Sequence, residues 1–481
     1  EIISQITAIL EDVAEVSPED VTESSVLMDD LDLSSMEILT IVADLEETFG
    51  LRIPEKELRN FVTMGDLVDY LAANVGEKPM ETQQRSTEYN FQGIMYFFRR
   101  EKIQCRYQFS LRDAVDITLL QRALTAALAS APYYTQRLVQ EKREMWLEPN
   151  TEPCLVYPGS TMRNIPEQTN GYLFCVSCEG DTVYFDWHHF LLDGHGVSPL
   201  LTSILEQYCN LRYGTAFAVP QIVCDPPYDM EAMLAEYPPV EYGSDVIQRD
   251  VVQTYEGALR RTRVCLSKQS LVEKALANNA KPVSALLGLL CMAMREYLGK
   301  EKIRYSYSSD TRDVAGVPNA LYNCVCSFGH TVQLQAQTRL ADFVADVDAD
   351  IRRDLQPESK RRRMADQMGW VYKVNQQKAP LRIKQRVFQM GEYIGGTISD
   401  FWLSYLGNPL MPATPELAQY TTDFGVWVPP DGASVGVEAA SLNGKIILCI
   451  HNKAPNPGLA DILRKTFENE GVAVLEAEDL D

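Results

Sequence analysis

The chain has 481 residues, of which 46% are hydrophobic, 23% charged and 9% aromatic, and it carries a net charge of −23. This is too apolar for a disordered chain and too long for one small domain. The acidic balance disfavours nucleic acid and anionic membranes as partners.

No run reaches the ~20 apolar residues of a membrane-spanning helix. The best candidate, 283–298, contains Arg295 and Glu296 and reads as a buried core helix. No basic-then-apolar leader opens the chain, which points to a cytoplasmic protein. Glu1 in place of Met points to sequence upstream. The eleven cysteines are single or occur as Cys175/Cys178 and Cys324/Cys326, without paired metal-ligand clusters. They read as reduced buried thiols, with no resident metal.

The charge is uneven. Residues 1–78 hold 19 acidic and 4 basic side chains, a net of −15, and the other 403 residues hold 48 and 40, a net of −8. Such a step marks a domain boundary. The expected organisation is an acidic unit over 1–77, a polar tether over 78–92, and a large unit with halves at 93–240 and 241–481.

In the acidic unit Ile3, Ile6, Leu10 and Val13 recur at helical spacing and predict a helix over 2–16. A second helix is expected over 35–49, with Ile38, Val42, Leu45 and Phe49 on one stripe. A short turn near 54–61 and a helix over 64–74 complete a four-helix bundle. Ser34 and Glu37 form a capping box, which puts Ser35 at the first helical position. A phosphate there would meet free backbone N–H groups and the positive end of the helix dipole. Spacing alone favours a plain polar first-turn residue.

The run 31–49 resembles helix II of acyl carrier proteins, and Leu45-Glu46-Glu47 with the Ile53-Pro54 turn extends the resemblance over 1–76. Ser34 stands where that motif has Asp, and Met36 where it has Leu. The resemblance implies 4′-phosphopantetheine carried covalently on Ser35 and installed by a phosphopantetheinyl transferase. It also implies partners among other carriers and acyl-activating or synthetase proteins.

The large unit alternates strands and helices. A strand is expected over 104–111 and a helix over 117–130, with Leu119, Leu120, Ala123, Leu124 and Ala127 facing inward. A hairpin follows, 171–178 and 182–189 around Glu179-Gly180-Asp181. A helix over 197–213 ends at Gly214, a good C-cap. The Pro-rich stretch 217–250 reads as a crossover. The second half holds helices over 283–298, 338–354 and 457–470, and strands near 303–309, 323–335, 434–441 and 446–452. Two α/β halves joined this way invite a site at their interface.

The strongest signal is His188-His189-Phe190-Leu191-Leu192-Asp193-Gly194, at a strand end turning into a helix. Adjacent strand residues point to opposite faces. Only one His can therefore enter a given cleft, and the other supports it. Two further readings fit the residues: satisfied core histidines, or a metal held by His188, His189, Asp193 and His195. The alternation of faces works against converging ligands.

The segment matches the His-His-x-x-x-Asp-Gly signature of the condensation-domain superfamily, which includes chloramphenicol acetyltransferase-like enzymes. Four other segments resemble that superfamily in order: 127–138 with Pro132 and Arg137, Asp310-Thr311-Arg312 with Asn323, Ser404-Tyr405-Leu406-Gly407, and Asp423-Phe424-Gly425-Val426-Trp427. The resemblance covers about 91–475. It implies a multidomain chain, an all-α carrier bundle followed by a two-lobed α/β fold like chloramphenicol acetyltransferase. A tunnel between the lobes would meet at His189, which takes or orients the proton of an amine or hydroxyl attacking a thioester. His188 would be the supporting residue, and Asp193 would fix the loop through Arg137 or Arg312. Gly194 would allow a tight turn, and Ser404 would help hold the oxyanion.

The function implied is a thiotemplated acyltransferase of the kind found in nonribosomal peptide synthetase biosynthesis, forming an amide or ester. Two alternatives are an acyl-coenzyme A-dependent acyltransferase whose carrier holds the acceptor, and a non-catalytic docking platform for carriers. The run Lys360-Arg361-Arg362-Arg363 reads as a solvated helix face or as a landing site for an acidic carrier.

Exposure to coenzyme A and a phosphopantetheinyl transferase should add one phosphopantetheine to the chain. Intact-mass measurement with peptide mapping should place it on Ser35, and Ser35→Ala should abolish it.

Overall fold

The computed structural model describes residues 2–14, 16–27, 30–31, 33, 35–49, 51, 53, 61–74, 92–99, 103–141, 143, 145–238, 258–395, 399–411, 413, 415–430, 433–454 and 457–480. It divides into two compact units: 1–87 with 139–147 and 373–390, and the rest of the chain.

The first unit opens with α1 (Ile2–Ala14), α2 (Ser35–Thr48) and α3 (Met64–Asn74). The apolar stripes read from the sequence meet in one core that includes Ile6, Leu10, Leu45, Met64 and Leu71. The expected cap Ser34, the turn at 54–60 and the tether over 78–91 lie outside the described residues. The acidic side chains of this unit find cations within it: Arg143 pairs with Asp12 and with buried Asp44, and Arg382 lies 3.4 Å from Glu46.

The second unit begins with α4 (Gln92–Phe97), β1 (Gln104–Leu111) and α5 (Ile117–Ala129). Asp116 caps α5 by accepting from the Thr118 and Leu119 N–H groups. The chain continues through β2 (Gln136–Gln140), β3 (Met145–Pro149), β4 (Val156–Pro158), β5 (Phe174–Glu179) and β6 (Thr182–His188). Helices α6 (Gly194–Tyr213) and α7 (Met230–Glu236) close the first half. Gly214 ends α6 in the left-handed region, at φ 68°.

The second half contains β7 (Arg260–Ser267), α8 (Lys268–Ala277), α9 (Pro282–Leu298), β8 (Lys302–Asp310), α10 (Arg312–Ala315), β9 (Val325–Gln333) and α11 (Val344–Asp354). It ends with α12 (Pro357–Gln376), α13 (Leu381–Gly395), β10 (Ser399–Tyr405), β11 (Thr421–Trp427), β12 (Ala433–Leu442), β13 (Lys445–Asn452), α14 (Leu459–Asn469) and β14 (Val474–Asp479). Helix α9 is the buried apolar helix expected over 283–298. Among the described residues no helix is long and apolar enough to cross a membrane. The helix expected over 338–354 starts only at Val344, after a 3-10 turn at Leu340–Asp342.

Two sheets organise the unit, in the orders β11-β1-β6-β5-β4 and β14-β7-β13-β12-β10-β8-β9. Strand β11, from late in the chain, completes the early sheet antiparallel to β1, with Trp427 opposite Arg106. In the larger sheet the side chains of Phe401, Leu403, Val435, Val437 and Ala439 join the core of the second half. Alternation therefore turns Trp402, Ser404, Gly436 and Glu438 to the other face.

Helix α6 approaches the chain at Leu321 very closely. A Cβ built on Gly196 would lie 1.8 Å from the Leu321 carbonyl oxygen, and backbone cannot yield as a flexible side chain can. Gly196→Ala should therefore destabilise the protein by about 1–3 kcal/mol, read from the urea midpoint at constant slope.

Candidate active site

Strand β6 runs antiparallel to β1, with His188 opposite Gln104. The two histidines differ in their backbone bonding. The His188 N–H donates to Leu173 O at 2.9 Å, and the His189 N–H donates on the other side to Ile103 O at 3.0 Å. His188 is buried, and its Nδ1 accepts the Phe190 N–H at 3.1 Å. That bond turns the chain out of the strand. His189 is half-buried.

The loop ends at Asp193, the N-cap of α6. Its Oδ1 accepts the Gly196 N–H and an Arg312 Nη2–H, both at 2.8 Å, and its Oδ2 accepts the Cys324 N–H at 3.0 Å. Burial would push this carboxyl up, but the Arg312 guanidinium and the two N–H groups hold it below the usual carboxylate range. Arg312, 4% exposed, also donates to Ala320 O at 2.7 Å and Tyr322 O at 2.9 Å. Arg137, the other candidate, pairs instead with Glu148. The structure thus selects Arg312.

Gly194 has a different reason from the expected tight turn. It is the first residue of α6 and is absent from the residues with positive φ. A Cβ on it would lie 2.5 Å from Leu406 Cδ2 and 2.7 Å from the Tyr107 hydroxyl. A side chain here would have to displace the Leu406 methyl and the Tyr107 hydroxyl, and the Tyr107 O–H donates to the Gly194 carbonyl at 3.3 Å.

His189 is held by residues the sequence reading did not assign to it. Fully buried Asn323 donates through Nδ2 to the His189 carbonyl at 2.6 Å and to the Phe190 carbonyl at 3.3 Å. Tyr96 of α4 stacks on the imidazole with centroids 3.9 Å apart and planes 6° from parallel. Nδ1 is buried without a hydrogen-bond partner. Burial lowers the pKa of this ring below the ordinary 6.5, and the Arg99 charge adds to this against the opposing Asp193 charge. The imidazole is therefore neutral at neutral pH.

Ser404 stands on β10 in register with Glu438 on the neighbouring parallel strand β12, with both side chains on the same face of the sheet. Glu438 is 5% exposed, and its charge would push up the Tyr96 and Tyr107 hydroxyls. A single acid inside Val435-Gly436-Val437-Glu438-Ala439-Ala440 was the sequence signal for it. His195 is exposed, 3.7 Å from Asp310.

The basic run lies on α12. Lys360 is buried against Asp313, Arg363 donates to Ser327 O at 2.6 Å, and Arg362 lies over the Tyr237 ring. These contacts support the reading of a structural helix face, and Arg362 remains exposed on it.

Residues 4–71 match the family described as phosphopantetheine attachment site. An acyl carrier protein of Renibacterium salmoninarum is 40% identical over 73 residues, covering 15% of this chain and 90% of that protein. A meromycolate extension acyl carrier protein of Mycobacterium tuberculosis is 34% identical over 83 residues, covering 17% of this chain and 72% of that protein. The chain belongs to the acyl carrier protein family through its first 70 or so residues.

Proteins of this family carry 4′-phosphopantetheine on a serine. Helix α2 begins at Ser35, so its first-turn N–H groups lack intrahelical acceptors, and that end suits an anionic phosphodiester. The rest of the carrier chain shares its fold with three solved structures. The first condensation domain of the CDA synthetase has a TM-score of 0.55 at 12% identity, covering 81% of this chain and 99% of that one. A trichothecene 15-O-acetyltransferase of Fusarium sporotrichioides gives 0.54 at 12%, covering 80% and 94%. Polyketide synthase associated protein 5 of Mycobacterium tuberculosis gives 0.52 at 15%, covering 77% and 95%. The carrier bundle is thus fused to a two-lobed α/β fold of the condensation and chloramphenicol acetyltransferase-like type.

Arg312→Met should cost about 3–5 kcal/mol, because it leaves the Asp193 charge buried and unpaired. The pair stabilises the wild type above the unfolded carboxylate value of about 3.9 and weakens as pH falls through the depressed native value. Denaturation across pH should therefore show the largest difference near neutrality and convergence in acid.

Proposed function

We propose that this chain is a thiotemplated acyltransferase that passes an acyl group from a carrier-bound thioester to an amine or alcohol, with His189 as general base. The observation that carries this reading is a half-buried, neutral imidazole clamped at its carbonyl by Asn323 and on its face by Tyr96. A neutral ring nitrogen can accept a proton at working pH.

Ser35 would hold the phosphopantetheine arm, and a phosphopantetheinyl transferase would be a required partner. The arm supplies a thiol on which an acyl group travels as a thioester. His189 removes the proton of the acceptor N–H or O–H as that atom's lone pair bonds to the thioester carbon. With Nδ1 sealed inside, Nε2 is the nitrogen left for this exchange. The Ser404 hydroxyl donates to the developing oxyanion. The C–S bond then breaks, and the imidazolium returns its proton to the sulfur. His188 and Asp193 act through geometry, His188 by turning the loop and Asp193 by fixing it on Arg312.

His189→Ala should lower product formation by about 10²–10⁴-fold while loading of Ser35 is unchanged. In the wild type the rate should fall in acid with an inflection below 6.5, because the neutral ring is the active form. Acyl-carrier and acyl-coenzyme A should be compared as donors in the same assay, with acyl-carrier the faster. Turnover surviving in the His189 variant would remove catalysis by this residue.

A further inference from the structure

Glu438 is a buried acid that the steps above do not use. It lies in the middle of β12, on the face turned away from the second-half core, and its Oε2 is buried with no hydrogen-bond partner. The titratable groups facing it are Tyr96 from α4, Cys105 and Tyr107 from β1, and Cys449 from β13. None of these is a cation, and no ion pair among the described residues includes Glu438. Its neighbour on the same face is Ser404, in register across the parallel β10–β12 pair. Burial pushes the carboxyl up to about 8, with Ser404 opposing the shift. At neutral pH it is therefore a carboxylic acid, able to donate as well as accept.

A hydroxyl has one hydrogen, and the state of its neighbour decides where that hydrogen points. We propose that Glu438 is the positioning residue for Ser404. Protonated, it donates to Ser404 Oγ and leaves the serine hydrogen free to point at a thioester oxyanion. Ionised, it can only accept, so it draws that hydrogen to itself and withdraws the donor. The inference rests on the reading of Ser404 given above and adds a pH-controlled switch to it.

The test uses the full chain, with Ser35 bearing a phosphopantetheine arm that ends in a carbon-13-labelled ketone analogue of an acyl thioester. Infrared spectroscopy of the labelled carbonyl reads hydrogen bonding to it directly, without turnover. The carbonyl band should be red-shifted at pH 7 in the wild type. The shift should be lost by pH 9, past the Glu438 value of about 8. Glu438→Gln, neutral and still a donor, should keep the shift across this range, and Ser404→Ala should lack it throughout. The wild-type titration needs no variant and stands if a variant fails to fold. A shift present in wild type at both pH values overturns the role of Glu438 and leaves that of Ser404 intact. A wild-type band equal to that of Ser404→Ala at pH 7 overturns the oxyanion reading itself, and the Glu438 inference with it.

Discussion

The buried Asp193–Arg312 pair is the constraint on which the candidate site depends. Asp193 ends the loop that carries both histidines and caps the helix that follows, while Arg312 and the Cys324 N–H belong to the other half of the unit. One carboxylate therefore ties the loop to the helix and to the second half. Removing two charges from water costs more than most such pairs return. The pair persists because Arg312 also donates through Nε and Nη2 to the Ala320 and Tyr322 carbonyls, and Asp193 is satisfied on both oxygens. The result is a loop with little freedom, as the role proposed for His189 requires.

Around that loop the side chains divide by chemistry. Tyr96, Tyr107 and Asn323 hold His189 and Gly194 by stacking and by hydrogen bonds to main chain. Burial keeps two titratable groups neutral near pH 7, depressing His189 and raising Glu438. The same low-dielectric surroundings thus produce a base and an acid, because desolvation penalises whichever form is charged. The buried thiols follow the same rule: Cys105 and Cys324 are pushed up and stay protonated.

The carrier bundle obeys simpler physics. Its three described helices each present one apolar stripe, and those stripes account for its core. Its surplus acid is partly answered within its own unit by Arg143 and Arg382.

Local pattern was enough for much of this. Helical periodicity identified α1, α2, α3 and α9, and alternation with a Gly turn identified the β5–β6 hairpin, because period and turn chemistry are properties of consecutive residues. The same alternation showed that the two histidines must have different surroundings. Of α12 only the run 360–363 was read as a helix face, because its charged residues blur the apolar stripe, and α13 went unread. The choice of Arg312 over Arg137, the steric reason for Gly194, the stacking of Tyr96 and the pairing of Ser404 with Glu438 all join residues from distant parts of the chain. Sequence determined which groups were available and on which face of an element each would lie. Only the packing of one sheet and helix against another decided which groups meet, because distance across a fold is not written in the spacing of residues along it.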